Sequence, residues 1–345
     1  MGRKKETPLA RPWQILLILL VNLVILIGLL YSLELYLTLT DPRRTLPPEP
    51  EEVRNSYGFR EKEFAIPKPP DVCRIMALGD SFTWGKGVWR DERYTSVLQD
   101  MLAAAYPEKN IEILNFGFPG GPTTAERDTL RDFKERVQPD LIMVGFVLND
   151  PQQKRQDYSV ERERFEEKYG ELLKDFVEEM ENIGLGHVGR TSTQALDNFL
   201  VMSGLIPTWQ EALQRTYEKD SVAWQEFEQA LRDIKSMSDQ MDLPQPLFAI
   251  LNQGTYTDRP TDYNNPDEEL QLYLSWYWQA EKTAAMLGFH PVNFVPELAQ
   301  EMTTEPIAVT VLDGHPSAKV HRIYAEKLFK KISEAYIETG QLCPD

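Results

Sequence analysis

The 345-residue chain reads as an α/β protein: a flavodoxin-like three-layer α/β/α sandwich around a parallel sheet, preceded by one N-terminal transmembrane helix. Three observations lead there. Short apolar runs alternate with longer amphipathic stretches from Cys73 to the C-terminus. Those runs are apolar at nearly every position, as strands covered on both faces are. A separate and much longer apolar run stands near the N-terminus.

That N-terminal run, Ile15 to Leu33, is ILLILLVNLVILIGLLYSL, broken only by Asn22, Gly28 and Ser32. A hydrocarbon core of roughly 30 Å takes about 20 such residues as a helix. No polar face is present to mark a helix on the surface of a soluble core. A cleavable signal peptide has a shorter apolar region, about 7–15 residues, ending at a small-residue site. The residues that follow here, Glu34-Leu35-Tyr36-Leu37, offer no such site. The expectation is therefore an uncleaved single-pass anchor over residues 13–36, with 1–12 as its flank. Arg3, Lys4, Lys5 and Arg11 precede the run, whereas Arg43 and Arg44 follow it. The excess of positive charge places the N-terminus in the cytoplasm and the remainder outside. Residues 37–70 contain Asp41-Pro42, TLPPEPEE and Ile66-Pro67-Lys68-Pro69-Pro70, the composition of a stiff spacer.

About 275 residues remain, 71–345, enough for one large domain. Strand-like runs are Cys73–Leu78, Ile111–Phe116, Leu141–Leu148, Leu247–Leu251 and Val292–Val295. Helix-like stretches fall at 94–105, 123–137, 220–241, 267–287 and 317–338. This alternation predicts a parallel sheet with helices on both faces. Residues 151–220 break it. The densely charged stretch Val160–Glu181 reads as helix and GLGHVGRTSTQ as loop, so the segment is an expected insertion. Because it begins at the carboxyl end of a strand, it is expected over the ligand crevice.

A net charge of −17 argues against nucleic-acid binding, which needs a basic face. The two cysteines, Cys73 and Cys343, are too few for a disulfide scaffold, and no Cys/His spacing suggests a zinc site. They nevertheless invite a geometric argument. Cys73 opens the first strand, at the sheet end opposite the strand carboxyl termini. The last helix runs antiparallel to the strands and returns Cys343 to that same end, so a Cys73–Cys343 disulfide is expected in an oxidising compartment.

In an open parallel sheet the chemistry lies beyond the carboxyl ends of the strands. The first strand runs into Gly79-Asp80-Ser81-Phe82-Thr83-Trp84-Gly85, a tight strand-to-helix turn that presents a serine hydroxyl. The second ends in Asn115-Phe116-Gly117-Phe118-Pro119-Gly120-Gly121, where glycine allows close backbone approach by an N–H donor. The third ends in Leu148-Asn149-Asp150, whose Asn side chain is another donor. Near the C-terminus stands Asp313-Gly314-His315-Pro316, expected at a loop-to-helix junction because proline suits a helix start. A serine becomes a strong nucleophile once a base takes its proton, and the imidazole needs a partner to fix its tautomer. Asp313 is close enough in sequence to be that partner.

These four blocks, in this order, resemble the SGNH (GDSL-like) hydrolase superfamily, named for Ser, Gly, Asn and His. Asn55-Ser56-Tyr57-Gly58-Phe59-Arg60 is similar to a lead-in of its membrane-attached members, so the likeness covers roughly residues 55–338. It implies Ser81 as nucleophile and His315 as base, with Asp313 completing the triad. It also implies that the Ser81 N–H, the Gly120 N–H and the Asn149 side chain form the oxyanion hole. Two positions depart from the common pattern. Val147 stands where many members have a glycine two residues before the Asn. Leu312 stands where many have their Asp, three residues before the His.

The implied function is a serine esterase removing O-acyl groups, O-acetyl among them, from an extracytoplasmic glycan or lipid, without metal or organic cofactor. Two alternatives share the sequence features. One is an O-acyltransferase working on an envelope polysaccharide beside a membrane acyltransferase partner. The other is a non-catalytic glycan-binding or assembly protein on the same fold. His187, His290 and His321 have no metal-ligand partner at suitable spacing and are expected to be structural. Leu270, Tyr273, Tyr277, Ala280 and Ala284 recur at helical spacing, which predicts a buried face, with Trp278 off that stripe and exposed.

Overall fold

The computed structural model describes residues 12–41, 53–152 and 160–343. Among them, five strands form one parallel sheet: β1 (Val72–Gly79), β2 (Asn110–Gly117), β3 (Leu141–Phe146), β4 (Leu247–Ile250) and β5 (His290–Asn293). Their spatial order, β2-β1-β3-β4-β5, is the doubly wound order of flavodoxin-like folds. β1 lies inside the sheet between β2 and β3, and alternate side chains project to opposite faces. Ile75 and Ala77 join a core with α3 (Tyr94–Ala105) and α11 (Ala318–Ile332). Met76 and Leu78 join a second core with α4 (Thr123–Val137), α8 (Val222–Gln240) and α9 (Glu268–Met286). Two apolar cores on two faces of one sheet make the three layers, as the alternation of runs predicts. On α9 the stripe from Leu270 to Ala284 is buried, and Trp278 is exposed.

The remaining helices of this unit are short: α2 (Ser81–Trp84), α7 (Trp209–Thr216) and α10 (Val295–Glu301). A two-stranded antiparallel hairpin, β6 (Ala308–Thr310) with β7 (Asp313–Pro316), precedes α11. Its strands are too short to stand out in the sequence. A turn of π-helix, Ser333–Ile337, extends α11 toward Cys343. Cys73 and Cys343 are bonded, with their Cα atoms 5.4 Å apart and 270 residues between them. The tail is thus stapled to β1, an interior strand. Replacing both cysteines by serine is expected to cost about 2–5 kcal/mol, read as a lower urea midpoint of the catalytic unit.

Two boundaries differ from the sequence reading. Residues 55–70 are not a free spacer. The Asn55 Oδ1 accepts from Tyr57 N and Phe59 N, each at 3.1 Å, and Phe59 enters the second core. Arg60 is buried, donating to Gly85 O at 2.6 Å and Val88 O at 2.8 Å. Its two terminal nitrogens are held by backbone carbonyls, a demand that proline content does not reveal. The part of the expected spacer at 42–52 lies outside the described residues. The insertion is also narrower than 151–220, because α7 belongs to the sheet domain, with Ala212 and Leu213 in its interior.

α1 (Pro12–Thr40), α5 (Val160–Asn182) and α6 (Gly186–Met202) form a separate compact unit. α1 is long and apolar enough to cross a membrane, and its apolar side chains are exposed. The GLGHVGRTSTQ stretch is helical rather than loop, forming most of α6. The reason is a cap supplied from elsewhere. The Glu34 carboxylate of α1 accepts from His187 N at 3.1 Å and Val188 N at 2.9 Å, satisfying N–H groups of the first turn. α5 and α6 form an antiparallel hairpin, tied by Arg162–Asp197 at 2.7 Å at one end and Arg190–Glu181 at the other.

Candidate active site

Three glycines in register close the carboxyl edge of the sheet. Gly79 of β1 pairs with Gly117 of β2 and with Gly145 of β3. A Cβ on any of them would lie 2.0–2.4 Å from Thr83 or from the Trp84 N. Their absence of side chains lets the single turn of α2 sit directly on the sheet end. Asp80 caps that turn, its Oδ1 accepting from Phe82 N at 2.8 Å. Ser81 is the first helical residue, nearly buried and held at the rim.

His315 reaches this serine from the far end of the chain. It lies in the hairpin strand β7, not at a loop-to-helix junction; α11 starts only at Ala318, after Ser317. Strand geometry gives the spacing its meaning, because residues two apart share a face. Asp313 and His315 therefore project together, and the Asp313 Oδ1 accepts from both the His315 backbone N (3.0 Å) and Nδ1 (2.5 Å). On the opposite side of the ring, Nε2 stands 2.8 Å from Ser81 Oγ. An ionised carboxylate only accepts, so Nδ1 carries the proton and Nε2 offers its lone pair to the serine hydroxyl. The Phe82 ring lies 5.3 Å from the imidazole, centroid to centroid, and supports its edge. Burial pushes the Asp313 carboxyl up, but hydrogen bonds and charge from His315, with Lys86 beyond, bring it below its ordinary value.

Asn149 is buried, and its side-chain amide lies close enough to the Asp80 carboxyl to help lower it. An amide nitrogen has two N–H donors, so one remains for a ligand. Gly120 stands at the outer end of the second strand in a left-handed turn, φ 74°, closed by Gly121 N on Phe118 O. Phe118 N in turn bonds Gly79 O at 3.1 Å, tying this turn to the strand that bears Ser81. The sequence-predicted residues thus gather on one sheet edge. Ser81, His315 and Asp313 form a continuous chain of hydrogen bonds, Asn149 lies close to Asp80, and Gly120 lies on the neighbouring turn. The other histidines do other things. His321 is buried with its Nδ1 accepting from Tyr94 N, and burial together with the charges of His315, Arg93 and Arg60 drives it down to about 3. His290 meets Tyr336, and His187 meets Glu34 and Asp41.

The sequence reading missed a buried acid cluster under the site. Asp80, Glu126 and Asp150 are each at most 1% exposed. Asp150 accepts from Val147 N at 2.8 Å, while neither carboxyl oxygen of Glu126 has a hydrogen-bond partner. Burial, then the Asp80 charge, holds Glu126 well above the ordinary range, and burial with the charges of Glu126 and Asp80 does the same to Asp150. Asp80 is also raised by burial, against the Phe82 N–H, the His315 charge and the nearby Ser81 and Asn149 side chains. One signal was available: Glu126 shares helical spacing with Leu130, Phe133 and Val137, a core stripe.

A carboxyl whose folded pKa is raised binds its proton more tightly in the native state, so stability falls as pH rises above the unfolded value near 4.5. Glu126→Gln removes that slope, which is at most about 1.4 kcal/mol per pH unit for one group. Melting curves from pH 4 to pH 8 should show the wild type losing stability relative to the variant as pH rises. Parallel curves would mean that Glu126 is ionised in the native state.

No curated protein sequence matches the chain. Among solved structures it is similar to LAE5, an alpha/beta hydrolase enzyme from the metagenome of Lake Arreo, Spain, with 14% identity and TM-score 0.44 over 76% of this chain and 95% of that one. It is similar also to Axe2, an acetylxylan esterase from Geobacillus stearothermophilus, with 16% identity and TM-score 0.43 over 75% and 93%. TesA follows with 11% identity and TM-score 0.40 over 75% and 97%. The sequence model of the GDSL-like Lipase/Acylhydrolase family matches residues 77–323. That match runs through Ser81, Asn149, Asp313 and His315 and over well more than half of the sequence, so the chain belongs to the GDSL-like lipase/acylhydrolase family and is an ester hydrolase.

Proposed function

We propose that this enzyme hydrolyses O-acyl esters, O-acetyl among them, of an extracytoplasmic glycan or lipid, through an acyl-enzyme on Ser81. The observation that carries the reading is the unbroken chain from Ser81 Oγ to His315 Nε2 and from His315 Nδ1 to Asp313 Oδ1. In the first step Ser81 Oγ bonds to the ester carbonyl carbon while its proton passes to His315 Nε2. The imidazolium that forms faces the Asp313 carboxylate. The tetrahedral oxyanion is taken by the Ser81 N–H, the Gly120 N–H and the second N–H of the Asn149 amide. Its collapse expels the alcohol, which receives the proton from His315. Water then repeats the sequence on the acyl-enzyme and releases the acid.

Two features support the compartment. A disulfide persists in oxidising surroundings and is rare in the cytosol. The apolar α1 is preceded by Arg3, Lys4, Lys5 and Arg11, the charge bias of an anchor whose N-terminus stays in the cytoplasm. Only the compartment points to glycan or lipid as substrate.

The test is hydrolysis of p-nitrophenyl acetate and of a long-chain p-nitrophenyl ester by the full chain in detergent, beside Asn149→Ala. Loss of one oxyanion donor is expected to lower kcat by about 10²–10³, with KM little changed. A variant within about twofold of wild type removes Asn149 from the oxyanion site. Acetate released from an O-acetylated glycan into water supports hydrolysis; acetate appearing instead on an added oligosaccharide would make the enzyme a transferase.

A further inference from the structure

We propose that the α5–α6 hairpin is a membrane-surface platform, lying with one apolar face in the outer edge of the bilayer that holds α1. The proposal rests on reading α1 as a membrane anchor. Its first support is depth. Tyr31 lies 18 residues beyond Trp13, about 27 Å along the helix at 1.5 Å per residue. That is just inside the far edge of a hydrocarbon core of roughly 30 Å. The Tyr31 hydroxyl donates to Ile183 O, in the turn between α5 and α6, at 2.7 Å. One turn further along α1, Glu34 caps α6 and also holds His187 Nδ1 at 2.8 Å. The hairpin is therefore fixed to α1 at the level where acyl chains give way to headgroups.

The second support is the face the hairpin presents. On α5, Leu172 and Phe176 lie to one side of the seam with α6, and Ile183 is exposed at the turn. On α6, Leu196, Phe199 and Met202 occupy the corresponding side, at 100° per residue, and Met202 is 88% exposed. The two helices are antiparallel, so stripes offset in the same rotational sense project from the same side of the hairpin. Val188 lies on this same side of α6, where α6 meets α1 and Glu34 accepts from the Val188 N–H. The apolar face is thus continuous with the α1 contact, and the lipid around α1 is what it meets first.

Charge argues for the manner of binding. α5 has nine carboxylates and four cations, so anionic headgroups would not attract it. Burial of apolar side chains, made effective by the tether to α1, supplies the association, and it should be insensitive to salt.

The experiment uses the full chain in phosphatidylcholine nanodiscs, with a nitroxide at one introduced cysteine at a time. Cys73 and Cys343 are bonded and stay unlabelled without reductant. Leu172→Cys, Phe199→Cys and Met202→Cys probe the apolar face, Lys174→Cys and Glu178→Cys the polar one, and Val24→Cys the anchor. The apolar-face labels are expected to collide freely with oxygen but not with a water-soluble nickel chelate, at a depth of about 5–10 Å, while the polar-face labels meet the chelate. Apolar-face labels as open to the chelate as the polar-face labels would overturn the proposal. Labels shielded from both reagents would also overturn it, showing that a protein, either a second copy or a partner, covers the face. A lipid-buried Val24 label with a water-exposed hairpin defeats the platform alone. A water-exposed Val24 label defeats the anchor and the platform together.

Discussion

Replacing Ser81 with alanine should lower turnover of p-nitrophenyl acetate by at least about 10⁴-fold, to the level supplied by binding and oxyanion donors alone. The size follows from what the hydroxyl does. It forms the bond to the acyl carbon, and neither His315 nor Asp313 can substitute at that position. The substitution removes one hydroxyl, whose contacts are His315 Nε2 at 2.8 Å and Asp80 Oδ2 at 3.2 Å. The Asp80 cap on Phe82 N does not depend on it, so α2 and the melting temperature should change little. A variant retaining wild-type turnover would move the nucleophile elsewhere and leave the triad without a function. Trapping an acyl group on the wild-type protein, with mass spectrometry locating it on the peptide containing Ser81, checks the intermediate independently.

The parts legible in the sequence were those written in local pattern. Alternating runs named the sheet, and β1 announces its burial with eight residues lacking a polar face except at Arg74. GDSFTWG at a strand end and DGHP near the C-terminus named the residues that meet across 234 positions. What stayed hidden depended on partners distant in sequence. GLGHVGRTSTQ has three glycines and little helix propensity, yet most of it is helical because Glu34, 153 residues from His187, takes its first N–H groups. Arg60 follows a turn and reads as a solvent-facing cation. It is buried because the loop after α2 turns the carbonyls of Gly85 and Val88 toward it. The helical spacing of Glu126 marks it as buried, but only the arrangement of Asp80 and Asp150 around it gives that carboxyl its meaning.

Asp313 is the position where local geometry most changes a sequence judgement. Two residues before the histidine, rather than three, looks like a departure from the common pattern. On a strand, however, a separation of two is the one that puts both side chains on the same face. Asp313→Asn should therefore lower kcat by up to about 10⁴-fold, because an amide turned to donate to Nδ1 would leave the proton on Nε2, the wrong tautomer for accepting from Ser81. β7 is held by its pairing with β6, so it should persist.

The stability consequence has a definite sign. A carboxyl held below its ordinary value contributes stability that is present above about pH 3.8 and is lost as pH falls through the lower folded value. Asp313→Asn removes that contribution, so the wild type should be the more stable protein at neutral pH and the gap should close in acid. Because the carboxyl stays ionised well below neutrality, it cannot set the acid limb of the activity profile. A loss of kcat under about tenfold would mean that β7 and the Phe82 ring orient His315 well enough without the carboxylate. A loss in the thousands, with the melting temperature nearly unchanged at acid pH, assigns Asp313 the third place in the triad.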